Sequence, residues 1–136
     1  SCQGLKNIKV GDVHDIQLKG IKNNVLLVEA KVPVKNPSIY KVKIKETDLR
    51  ISVNSRYLGR LISKEEIIIP AKSFNEYTFP FAVRISNILL GASLMIDLPN
   101  MRDIKIGFKG NVKGKALFIT KKVDIEEEII VESFNN

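Results

Sequence analysis

Tryptophan is absent from this chain, and cysteine and histidine occur once each. A single cysteine excludes an internal disulfide and a cysteine-based metal site. The single histidine, His14, excludes a multi-histidine centre. Its neighbour Asp15 would point to the opposite face of a strand, so His14 reads as a polar residue near a strand end. No apolar run approaches the ~20 residues that a bilayer-crossing helix needs. Gly107, Gly110 and Gly114 are spread along the chain without a Lys-Ser/Thr pair, so there is no phosphate-cradling loop. RNP-like, helix-turn-helix and zinc-finger patterns are missing too. The excess of 22 Lys+Arg over 15 Asp+Glu therefore carries no nucleic-acid reading, because basic charge alone is nonspecific.

What the chain does have is aliphatic residues at a spacing of two. Its 136 residues suit one domain. We place that domain at 5–132, with 1–4 as an N-terminal tether and 133–136 as a tail. Val28, Ala30, Val32 and Val34 alternate with Glu29, Lys31, Pro33 and Lys35, the pattern of a strand with one face in the core and one in water. Pro33 cannot donate to a ladder, which predicts an edge strand or a bulge there. After Asn36-Pro37-Ser38, Val42 and Ile44 alternate with lysines, and Leu49, Ile51 and Val53 continue. Gly20 to Asn24 reads as a turn, and Asn54-Ser55-Arg56 starts a hairpin. Ile67 to Ile69, Tyr77 to Val83, Ile104 to Phe108, Ala116 to Thr120 and Val123 to Val131 supply further strands.

One segment departs from this period. Ile85, Ile88, Leu89, Ala92, Met95 and Ile96 fall at helical spacing, with Ser86 or Asn87 available as a cap. Gly91 weakens that helix by about 1 kcal/mol relative to Ala, and Pro99 lies beyond its end. Short strands with regular turn signals and a single helix predict an all-β antiparallel sandwich.

Candidate sites are few. Glu126, Glu127 and Glu128 lack the Asp/Asn/Gly loop of a calcium site and read as a solvated acidic stretch. Asp97 and Asp103 flank a turn. Lys31, Lys35, Lys43 and Lys45 lie on the water faces of two successive strands, and if those strands pair they form a basic surface patch. Such a patch would meet anionic lipid or an acidic partner, or would simply protect an edge. No nucleophile, base and orienting group stand at catalytic spacing, so neither an enzyme nor a cofactor is expected.

The ordered stretch VEAKVPVKNPSIYKVKIKETDLRISVNSRYLGR, followed by IPAKSFNEYTFPFAV, resembles the type-2 late embryogenesis abundant family, which includes the water stress and hypersensitive response (WHy) domain. Its marks here are the Asn36-Pro37 pair closing a strand, the Leu58-Gly59 turn, and Ile69-Pro70-Ala71 leading into an aromatic strand. The similarity is strongest over residues 25–85. It implies an immunoglobulin/fibronectin III-like sandwich of about seven strands with one short helix, and a non-enzymatic role in stress or desiccation protection. It makes Asn36 and Pro37 a structural corner. At the N-terminus, Ser1-Cys2 resembles the lipid-modified cysteine of a bacterial lipoprotein, which implies lipid attachment at Cys2. The protein would then be a monomer tethered to the membrane of a bacterial cell envelope, facing periplasm or exterior, and protecting or binding other macromolecules such as a client protein. The alternatives are an adaptor that accepts a partner at a sheet edge, and a module binding lipid or a small ligand between sheets.

Overall fold

The computed structural model describes residues 8–132. Nine antiparallel strands form one sheet. In chain order they are β1 (Lys9–Val10), β2 (His14–Lys22), β3 (Val25–Asn36), β4 (Val42–Val53), β5 (Arg56–Ser63), β6 (Ile67–Ile69), β7 (Ser73–Ile85), β8 (Ile104–Ala116) and β9 (Ile119–Val131). Among the described residues one α-helix, α1 (Ile88–Asp97), runs into a 3-10 turn at Leu98–Asn100 and joins β7 to β8. Among the described residues no helix is long and apolar enough to cross a membrane.

Hydrogen bonding follows the order β1-β3-β7-β5-β4-β8-β9, with β2 also on β3 and β6 also on β4. The sheet has two halves. Strands β3 and β7 pair along their length in one half, and β4, β8 and β9 do so in the other. Between them β5 meets β7 only at Gly59↔Ile85, Arg60↔Arg84 and Leu61↔Val83. The sheet curls at this short seam into a half-barrel, so that Ile16, Leu26 and Ala30 of one half share a core with Leu49, Ile51 and Ile104 of the other. The strand count is nine rather than about seven, with β1 and β6 only two and three residues long. Both halves belong to one continuous hydrogen-bonded sheet.

Local chemistry explains several departures from the sequence reading. Strand β4 is one element because a bulge between Ile44 and Glu46 shifts its phase, which is why Val42 and Ile44 fall on even numbers and Leu49, Ile51 and Val53 on odd. The turn after β2 is confined to Asn23 and Asn24, both with positive φ (53° and 62°), as a tight hairpin requires. Asn54 and Ser55 (49° and 68°) close the β4–β5 hairpin in the same way. Pro33 lies inside the sheet, between β7 and the gap that separates β1 from β2. Its carbonyl accepts from the Gly11 amide at 2.8 Å. In an extended strand its nitrogen faces that same side, so no bond to β7 is lost.

Asn87 caps α1, accepting from the Leu90 amide at 3.1 Å. The buried residues of the helix are Leu90, Gly91 and Leu94, while Ile88, Leu89 and Ile96 are exposed. The inward face is therefore rotated from the expected one. A side chain at Gly91 would press on Ile85, which accounts for glycine inside the helix. At the far edge, β9 presents Glu126, Glu127 and Glu128 to solvent, with Lys105 3.9 Å from Glu128.

The seam depends on Gly59, where any Cβ would run into the carbonyl oxygen of Arg84. Gly59→Val is expected to separate β5 from β7 and lower the unfolding free energy by about 1–3 kcal/mol. An unchanged midpoint in urea denaturation would rule out a tight seam.

Candidate functional site

The corner after β3 is built on one amide. Asn36 is fully buried, and its Nδ2 donates to the carbonyls of Tyr40 and Pro70, both at 2.9 Å. Its Oδ1 accepts from the Ser38 amide at 3.1 Å and the Ser38 hydroxyl at 2.8 Å. Two donors and two lone pairs are the full capacity of the side chain. Pro37 follows on the surface. It fixes φ, and it keeps Asn36 extended at the last register pair with β7, opposite Ser73. These residues hold a corner and are not available to a ligand.

The lysines named from the sequence do not form one patch. Strands β3 and β4 are not neighbours in the sheet. Lys31 stands 3.4 Å from Asp15 on the first half, and Lys35 pairs across to Lys9. On the other half, Lys43 and Lys45 both engage Glu66, which sits 3.8 Å from Lys43 and hydrogen-bonds Lys45. His14 has a partner the sequence did not reveal, because its Nε2 lies 2.7 Å from Glu76 Oε2 on β7, across β3. Asp15 completes this exposed cluster 3.7 Å from the other ring nitrogen. Among the described residues no group of three or more His, Cys, Asp or Glu could hold a metal. Cys2 lies outside the described residues.

The feature with binding capacity is inside the curl. A cavity of about 450 Å³, partly open to solvent, runs between the two halves. Leu26, Val28, Ala30, Val32 and Val34 of β3 line one wall, and Leu49, Ile51, Ile106 and Phe108 of β4 and β8 line the other. Among the described residues, Thr47 is the only polar side chain in the lining. Its volume falls in the range of small-molecule sites, ≈ 300–1,000 Å³. Aliphatic side chains dominate the lining, several of them small: Val28, Ala30, Val32 and Val34. The signal available in the sequence was this excess of small aliphatics over large rings, with aromatics at 7% and no tryptophan. Near the Asn36 end, the Tyr77 hydroxyl is buried without a partner among the described residues, and its ring stacks on Phe79, which lines the cavity.

The fold thus defines an all-β protein with one short helix, its sheet curled around an apolar interior. The late embryogenesis abundant protein family, type 2, matches residues 31–129, and the chain belongs to that family. No curated protein matches the sequence. Solved structures share the architecture at low identity. A protein from Archaeoglobus fulgidus aligns with a TM-score of 0.60 at 11% identity, over 94% of this chain and 100% of that one. A Bordetella pertussis protein described as ApaA gives 0.52 at 9% identity, over 93% of each chain. These two likenesses speak for the fold alone. A protein of Arabidopsis thaliana is 22% identical, over 87% of this chain and 81% of its own, with a TM-score of 0.44.

Two outcomes follow from the polar groups. Asn36→Ala strands the Tyr40 and Pro70 carbonyls and should cost about 2–4 kcal/mol in denaturant unfolding. Asn36→Asp keeps the shape but loses the donor and buries a charge, so it should be no milder; a neutral Asn36→Ala would show that water replaces the amide. The second outcome concerns acid. The Lys45 hydrogen bond, with Lys43 and Lys115 nearby, holds the Glu66 carboxyl below its usual 4.5. A carboxyl depressed in the folded state stabilises above its unfolded pKa and loses that contribution as pH falls through the folded value. Thermal melts of Glu66→Gln should therefore match the parent more closely as pH drops below about 4.5, and a gap that widens instead would contradict the pairing.

Proposed function

We propose that this protein is a non-enzymatic binding domain whose half-barrel holds an apolar ligand, such as a single acyl chain. The cavity carries this reading. Covering its aliphatic walls with an apolar chain gains roughly 25 cal/mol for each Å² taken from water. Among the described residues the lining has no charge and a single hydroxyl, at Thr47, so selectivity would come from shape and length more than from hydrogen bonds. Membership of the family supports a stress-related role without catalysis, and the WHy subgroup and an immunoglobulin-like ancestry of the curled sheet are part of the same proposal. So is a lipid tether at Cys2 on a bacterial cell envelope, motivated by Ser1-Cys2. Protection would then consist in sequestering apolar molecules close to a membrane.

A delipidated preparation should bind a fluorescent fatty acid saturably at one per chain, and unlabelled oleate should displace it. Ala30→Phe, or Val28→Phe if the first fails to fold, fills the cavity and should abolish capture in a chain that still unfolds cooperatively. Binding that survives a folded filled variant, or no binding by the parent, would overturn the cavity reading.

A further inference from the structure

We infer that one end of the half-barrel, the end carrying the β8–β9 hairpin, docks on the surface of an anionic bilayer. Three connections meet there: Pro37 to Lys41 between β3 and β4, Pro70 to Lys72 between β6 and β7, and Leu117-Phe118 between β8 and β9. Register places them together. Val42 pairs with both Ile69 and Ala116, and the Asn36 amide joins the first two connections through Tyr40 and Pro70.

These connections, and Phe74 at the start of β7, expose apolar side chains that a water-facing surface has no use for. Phe118 is 95% exposed, Phe74 72%, Ile39 66% and Leu117 51%. Leu117 holds a positive φ of 56°, a left-handed conformation that suits glycine or asparagine better than leucine. A two-residue turn built from Leu and Phe therefore gives up backbone preference and leaves an aromatic ring in water, which suggests that the ring has another place to go.

Around the apolar tip stand Lys41, Lys72, Lys115 and Lys121, none of them in an ion pair among the described residues. The stretches 37–42, 70–74 and 115–121 contain no Asp or Glu. A ring that enters the acyl boundary, encircled by cations that stay among headgroups, is the arrangement of an interfacial anchor on anionic lipid. Helix α1 offers a contrast at the opposite end. It exposes Leu89 and Ile96 as well, but its ten residues include Asp97 and no Lys or Arg.

Lys9 of β1 pairs with Lys35, next to Asn36, so two more lysines stand at this end. The inference does not require the cavity to hold a ligand, since one assay reads the surface and the other the interior.

Co-sedimentation tests it, using the full chain as Cys2→Ser so that no attached lipid contributes. Vesicles of phosphatidylcholine alone are compared with vesicles also containing phosphatidylglycerol. Binding to the anionic vesicles is expected, weakening as salt rises. Phe118→Ser should reduce it about tenfold with an unchanged melting temperature, since the ring contributes nothing to the core. The double variant Lys72→Gln/Lys121→Gln should reduce it about tenfold on anionic vesicles only, and Leu89→Ser should bind as the parent does. Equal binding by Phe118→Ser, loss of binding in Leu89→Ser, or no preference for anionic vesicles would each overturn the inference. So would concentration-dependent dimers that Phe118→Ser dissolves in a chain that ignores vesicles, because the tip would then be a contact between two copies.

Discussion

Everything at one end of this molecule hangs on a buried amide. A chain that leaves β3 and re-enters the sheet as β4 must carry its peptide groups past an apolar cluster of Val32, Val34, Val42, Ile69 and Ala116. Buried carbonyls without donors are costly, and there is no room for backbone pairing in so abrupt a change of direction. Asn36 resolves this by acting as a piece of displaced backbone, donating to two connections and accepting from its own. The Lys72 amide adds a bond to the Ser38 carbonyl at 2.9 Å. Once that knot is tied, the last pair of β3 with β7, the docking of β6 on β4 and the place of the β8–β9 tip are all determined.

Much of this architecture was legible in the residues because aliphatic alternation and asparagine turns are local signals. The strand pattern of β3 and β7, the Asn54-Ser55 hairpin and the cap at Asn87 needed no tertiary information. Other elements were hidden for physical reasons. The bulge in β4 changes which residues face inward without leaving a Gly or Pro behind, so the change of phase between Ile44 and Leu49 had no local marker. The Leu117-Phe118 turn was invisible because its residues are strand formers, and the turn exists despite their preference. In α1 nearly every position is apolar, so periodicity could not choose a face, and contact with Ile85 decided it.

The cavity was harder to foresee than any strand. Inward-facing valines and isoleucines read the same whether they close a core or line a void, and only the distance between opposite walls tells the two apart. The lysines fared similarly. Their exposure could be read from alternation, yet whether Lys31 and Lys43 share a surface depends on strand order, a long-range property. The family was recognisable because an ordered set of corner, turn and aromatic strand survives where single motifs would be too weak, and that set lies within the matched span.

The outer edge of β9 bears on how this protein behaves when it is crowded. An unpaired strand of thirteen residues is ordinarily a template for a neighbouring chain. Here a second copy laid antiparallel along the acidic stretch would bring the glutamates of one chain against those of the other, with little to neutralise them as water becomes scarce. As volume shrinks, the repulsion between those edges rises while the apolar tip and interior stay on other parts of the surface.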